Sequence, residues 1–201
     1  MTPSTNGYIC DTNIWVKVVL GNVVDQFVYI FPNVHFADAV ENEINKWTLN
    51  ANKYKKIGTT FNDLKDTSLK VVYLEQLNSG HQILIKRQLT EYGFSELDNS
   101  RKTIKDLGEY LSLLYAYFLK IPFLQTEDVE FYGNININEQ FKGIEIMTWN
   151  NIAEQLMPNH SERIKLNSFI ELEQKNMSRK KEEFNSIENK LKMLQQKFNS
   201  R

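Results

Sequence analysis

The stretch Tyr8–Trp15, "YICDTNIW", decides how the rest of the chain is read. Apolar residues climb to Asp11, three polar residues follow (Asp11, Thr12, Asn13), and a second apolar run starts at Ile14. Burying a carboxylate at the end of a short apolar segment is unfavourable unless it is paired or hydrogen-bonded. Asp11 therefore either caps the helix that Ile14 begins or meets a partner brought from elsewhere. Position alone leaves both readings open.

Working outward, Tyr8–Asp11 reads as a strand, and Ile14–Leu20 and Val23–Ile30 as packed helices. Val34–Phe36 is a second short strand. A helix follows, with Val40, Ile44 and Trp47 at i, i+4, i+7 spacing. Asp38 is its expected N-cap, with Glu41 completing a capping box. Residues 50–64 read as a polar helix and Val71–Val72 as a third strand. Gln82–Tyr92 and Asp98–Leu119 read as helices, the second ending in the nearly all-apolar "GEYLSLLYAYFLK" of a helix buried on several sides. "IPFLQTEDVEF" is a strand entering a polar turn. "GIEIMTWNNIAEQL" is a strand, a turn and a short helix closed by Pro158. Strands alternating with helices, over connections too long for hairpins, predict an α/β fold: a Rossmann-like parallel sheet flanked by helices on both faces.

In such a sheet, ligands gather at the carboxyl ends of the strands. Asp11, Glu43, Glu109 and Asp128 are expected to converge there from distant parts of the chain. Like charges brought together repel, and a hard divalent cation with oxygen ligands resolves the conflict. Such ions can activate a water and stabilise an in-line phosphoryl displacement. Each acid has a plainer reading. Asp11 can cap, Glu43 can be a solvated flank of its apolar stripe, Asp106 can cap near Thr103, and Asp128 can be an ordinary loop acid. Glu109 shares a face with Leu113 and Ala116, which argues against simple solvation.

Taken in order, "ICDTNIW", "AVENEI", "GEYLSLLYAYFLKIPFLQTEDVEF" and "IEIMTWNNIAEQL" resemble the successive motifs of PIN domains, the metal-dependent ribonuclease fold of VapC-type toxins, over most of residues 7–157. The resemblance implies a PIN-like domain over residues 1–160. It implies a metal-dependent endoribonuclease using Mg²⁺ or Mn²⁺ held by Asp11, Glu43, Glu109 and Asp128. Glu109, seven residues before Ala116, stands where the family usually has Asp, and Asp106 is a fifth member or a substitute for it. Thr12, Asn13 and Thr126 would orient water or ligands, and Phe131 would pack beneath the turn. RNA is the implied substrate and an antitoxin or other protein the implied partner. The rival is a PIN-like module that has lost turnover and binds RNA or protein.

Other chemistries fit less well. A D-x-D phosphatase motif fails at Asn13, and a dinucleotide site lacks its G-x-G-x-x-G. Cys10 reads as a small core residue, and His35, His81 and His160 form no ligand spacing. The chain has 201 residues, one cysteine and 41% hydrophobic residues including 24 aromatics. It shows no membrane-length apolar run and no signal-peptide pattern. A cytoplasmic location is expected.

Net charge is −1, but residues 161–201 carry ten Lys/Arg against six Asp/Glu. Nucleic-acid binding must then use local patches rather than bulk charge. That tail lacks Gly and Pro and reads as one long helix. Ile170, Met177, Phe184, Leu191 and Phe198 recur every seven residues; Ile187 and Leu194 fill the intermediate positions, and Glu173 and Lys180 interrupt the earlier part. It either folds back on its own domain or forms a coiled coil with another copy or a second protein, and the seam favours the latter. Arg179, Lys180 and Lys181 are candidate phosphate contacts.

Overall fold

The computed structural model describes residues 7–49, 53–94, 106–128 and 141–199, with side chains as far as Arg179. The expected α/β architecture is present. Strands β1 (Tyr8–Cys10), β2 (Val34–Ala37), β3 (Leu69–Val72), β4 (Phe123–Gln125) and β5 (Glu145–Met147) form one sheet in the order β3-β2-β1-β4-β5. Every pairing is parallel, with Ile9 opposite His35 on one side and Leu124 on the other. Consecutive residues on the central strands, Ile9 and Cys10 or Leu124 and Gln125, are fully buried. Side chains alternate across a strand, so both faces of the sheet are covered.

Around it lie α1 (Thr12–Leu20), α2 (Val24–Ile30), α3 (Asp38–Asn45), α4 (Lys56–Leu64), α5 (Ser79–Glu91), α6 (Leu107–Leu119), α7 (Trp149–Leu156) and α8 (His160–Asn199). Trp15, Phe36 and Phe61 meet edge to face and join α1, β2 and α4 into one core. The strand order reverses between β1 and β4, and such a reversal opens a crevice at the carboxyl ends of the two strands.

Three expectations need correction. The proposed helix Asp98–Leu119 begins, among the described residues, only at Leu107, because Asp106 adopts a left-handed φ of 62° that an α-helix does not accommodate. Asp38 and Glu41 form no capping box. Ala37 is the N-cap, Asp38 is the first helical residue, and Glu41 instead pairs with Lys65. Of the helix expected over residues 50–64, the described part is a 3-10 turn, Lys53–Lys55, leading into the shorter α4. Phe131 and Thr103 lie outside the described residues.

The start of α8 lies on its own chain. Leu166 and Ile170 are buried, and their methyls cover Gly21, where a Cβ would come within 2.9 and 3.0 Å of them. Glu173 pairs with Lys53, and Asn167 accepts from the Trp149 indole at 2.8 Å. The first part of the tail thus folds back. The seam Phe184–Phe198 lies beyond the described side chains.

Candidate active site

Asp11 follows β1 directly, and its amide donates to Gln125 O at 3.0 Å, extending the β1–β4 ladder by one residue. It is also the N-cap of α1: Oδ1 accepts from the Thr12 amide at 2.6 Å. Oδ2 accepts from Thr126 Oγ1 at 3.3 Å. The side chain is only 2% exposed. The two readings of Asp11 are therefore compatible, since capping uses one oxygen and orients the other toward the strand ends.

Thr126, fully buried, also accepts the Asp128 amide at 3.1 Å, so one hydroxyl links Asp11 to the turn that carries Asp128. Glu127 holds that turn from outside. One of its oxygens accepts from the Trp149 amide at the start of α7 (2.7 Å), and the other pairs with Lys17 of α1 (2.6 Å). Asn13 is exposed on the first turn of α1.

Glu43 arrives from α3, and Thr12 Oγ1 donates to its Oε2 at 2.6 Å. Glu109 lies in the first turn of α6, one residue after Gly108, where an added Cβ would meet Glu43 Oε1 at 3.3 Å. The acids share one field. Burial, then the Glu109 carboxylate, push Asp11 up from 3.8 to about 7; the Thr12 amide pulls the other way and Glu43 adds to the rise. Burial raises Glu43 above the usual carboxylate range, against the Thr12 bond and Lys46. Burial raises Glu109 as well, with Glu43, Asp106 and Asp128 adding to the rise. Asp11 thus feels Glu109 and Glu43, and Glu109 feels Glu43, Asp106 and Asp128.

As a donor set, carboxylates that disfavour each other's charge suit a hard divalent cation. Their spacing is looser than a formed site. Among the described residues, no three of His, Cys, Asp and Glu stand as a group that could hold a metal ion. The residues have the chemistry and charge that such an ion takes, but as they stand the described residues form no group that could hold one.

Glu41 faces away from this rim, in its ion pair with Lys65. Glu127, Gly108 and Tyr115 were not singled out from sequence, and Asp38 was read there only as a cap rather than as the partner of Tyr115. A glycine inside the first turn of a helix beside a candidate acid was a usable signal for Gly108. Nothing in "TED" marks Glu127 as an anchor rather than a ligand. Cys10 is fully buried and burial pushes its thiol up, as suits a core residue. No helix among the described residues is long and apolar enough to cross a membrane.

No protein-family model matches this chain, and no curated protein matches its sequence. Among solved structures, that of VapBC2 from Rickettsia felis bound to a DNA fragment from their promoter is similar to it. The match covers 71% of this chain and 98% of the other, at 13% identity and a TM-score of 0.44. A likeness at that level carries no argument about what this chain does.

Proposed function

We propose that this chain is a divalent-metal-dependent endoribonuclease, with Asp11, Glu43, Glu109 and Asp128 as the groups that hold Mg²⁺ or Mn²⁺. The observation that carries the reading is Asp11: a carboxylate almost wholly buried at the crevice between β1 and β4, whose charged neighbours Glu109 and Glu43 are both acids. A fold that brings such groups together without a use for their charge would lose stability. When bound, the cation would supply activation of water and neutralisation of developing charge at a phosphodiester.

The chain's own residues would do the rest. Thr12 holds Asp11 through its amide and Glu43 through its hydroxyl, fixing two carboxylates relative to each other. Thr126 orients the second oxygen of Asp11 and ties it to the Asp128 turn. Asn13, exposed beside them, is free to meet substrate or water. The resemblance to VapC-type proteins extends the proposal to a toxin of a toxin–antitoxin or defence pair, restrained by a protein partner.

A second reading, a PIN-like module that binds RNA or protein without turnover, is favoured by one observation: no three candidate ligands among the described residues yet form a group that could hold an ion. Total RNA incubated with purified protein in Mg²⁺, in Mn²⁺ and in chelator separates the two. The nuclease reading requires new, mappable ends that need the cation. Retention of RNA with no new ends supports the binding module.

A further inference from the structure

A groove lies at the other end of the central strands from Asp11. Tyr8, Phe123 and Glu145 open β1, β4 and β5, and the register sets them beside one another. Register partners in a parallel sheet point to the same face, so the three side chains form one row with strands about 4.8 Å apart. Tyr8 and Phe123 stack at 5.3 Å with an interplanar angle of 22°, and Phe31 meets Tyr8 edge-on at 5.1 Å. Facing the row is α7. Its Asn151, Glu154 and Gln155 stand at i, i+3, i+4 on one side of the helix, and they line the same cavity of about 340 Å³ as the row does. Glu145, Asn151, Glu154 and Gln155 are exposed and the two rings half-buried, so the cavity opens to solvent.

Charge and shape together narrow what the groove can take. Among the described residues that line it, none is Lys, Arg or His. Glu154 meets Arg163 of α8 only at 3.9 Å, and that guanidinium already donates to the carbonyls of Met157 at 3.2 Å and Pro158 at 3.0 Å. Two carboxylates thus stand over an aromatic floor. A guanidinium suits such a place. It stacks on aromatic faces, and its planar fork of five N–H donors matches carboxylate and amide oxygens, which a compact, strongly hydrated ammonium does less well. The same carboxylates repel phosphate, which disfavours a nucleic-acid strand. The volume is at the small end of ligand pockets, about 300–1,000 Å³, and suits one long side chain rather than a folded segment.

We propose that the groove between β5 and α7 is a docking site for an arginine side chain presented by a partner polypeptide. The guanidinium sits over Tyr8 and Phe123, between Glu145 and Glu154. This surface is separate from the carboxylate rim, because Asp11 lies three residues beyond Tyr8, about 10 Å along the strand direction. Binding there does not depend on the metal-dependent reading.

The test is amide chemical-shift perturbation in the isotope-labelled full chain, titrated with the peptide acetyl-Ala-Ala-Arg-Ala-Ala-amide. The amides of Phe123, Glu145 and Asn151 should shift and saturate. The same peptide with citrulline, a neutral isostere, in place of arginine should leave them unmoved. Glu145→Gln and Glu154→Gln, both at exposed side chains, should each weaken the arginine peptide about two- to fivefold without changing the melting temperature. No shift at those amides, equal binding of the citrulline peptide, or wild-type affinity in both variants overturns the proposal. Spermidine and AMP are titrated in parallel. Spermidine binding as tightly as the peptide would make this a polyamine site, and AMP doing so would make it a nucleotide site. Movement of the same amides with protein concentration alone would assign the groove to a second copy of the chain. Each of these three results also overturns the partner arginine.

Discussion

Asp11→Asn should make the metal-free protein more stable at pH 8, and by much less at pH 4.5. Asp11 is raised from 3.8 to about 7 by burial and by Glu109. Between those values the native state keeps a proton that the unfolded chain has already lost. Stability therefore falls as pH climbs from about 4 to about 7 and levels off above that. At 1.36 kcal/mol per pH unit, a window of about three units is worth about 4 kcal/mol, an upper figure for the penalty that the ionised carboxylate imposes at pH 8. The amide of the variant carries no charge. Its oxygen can accept from the Thr12 amide, and its NH₂ can donate to Thr126 Oγ1, reversing the bond that the hydroxyl donates in the wild type. Urea unfolding with chelator present, at the two pH values, measures the difference. A variant no more stable than wild type at pH 8, or one whose advantage is the same at both pH values, would refute the electrostatic account of Asp11.

Other perturbations separate the elements of the site. A divalent cation that binds only the folded state should stabilise the wild type by about 2.7 kcal/mol at a hundredfold excess over its dissociation constant; calorimetric melting should show that gain shrinking in Asp128→Asn. Glu41→Gln breaks the Lys65 pair, which is partly solvent-exposed, so it should lower stability by about 1 kcal/mol while the cation-induced rise in melting temperature persists. Truncation after Arg179 should leave the fold intact and, if the Phe184–Phe198 seam joins two copies, halve the mass seen by light scattering. Truncation before His160 should also remove the buried Leu166 and Ile170, at about 1.5–3 kcal/mol for each, and destabilise the whole domain. Cys10 should resist thiol reagents in the native state and react on unfolding, because it is fully buried with its thiol pushed up by that burial.

The fold was legible because its signals are local. Short apolar runs beside polar turns gave β1, β2 and β4, apolar density gave α1, and the 3.6-residue periodicity gave α3. Asp11 was legible for a related reason: an acid at the end of a strand is an unusual place for a charge, whereas Glu43 and Glu109 lie on helices and were picked out only by the order of the motifs. What stayed hidden depends on contacts between elements. Glu41 and Glu43 stand two residues apart on one helix, and the helix's orientation sends one to Lys65 and the other to Thr12. Asp38 has the residue type of a cap, yet its carboxylate is taken by Tyr115 and Leu74, far away in sequence. The break at Asp106 was missed because Asp tolerates left-handed backbone without any Gly or Pro to announce it. In the tail, the heptad that starts at Ile170 is interrupted early because Ile170, with Leu166, packs against the Gly21 region of the same chain.

The most direct measurement of the central claim is cleavage of one RNA by wild type and by folded Asp11→Asn, side by side in Mn²⁺, with the products mapped to the nucleotide. Wild type should give discrete cation-dependent ends, and the variant none above the chelated blank. Cleavage by Asp11→Asn at the wild-type rate, from protein with a native melting transition, would contradict it.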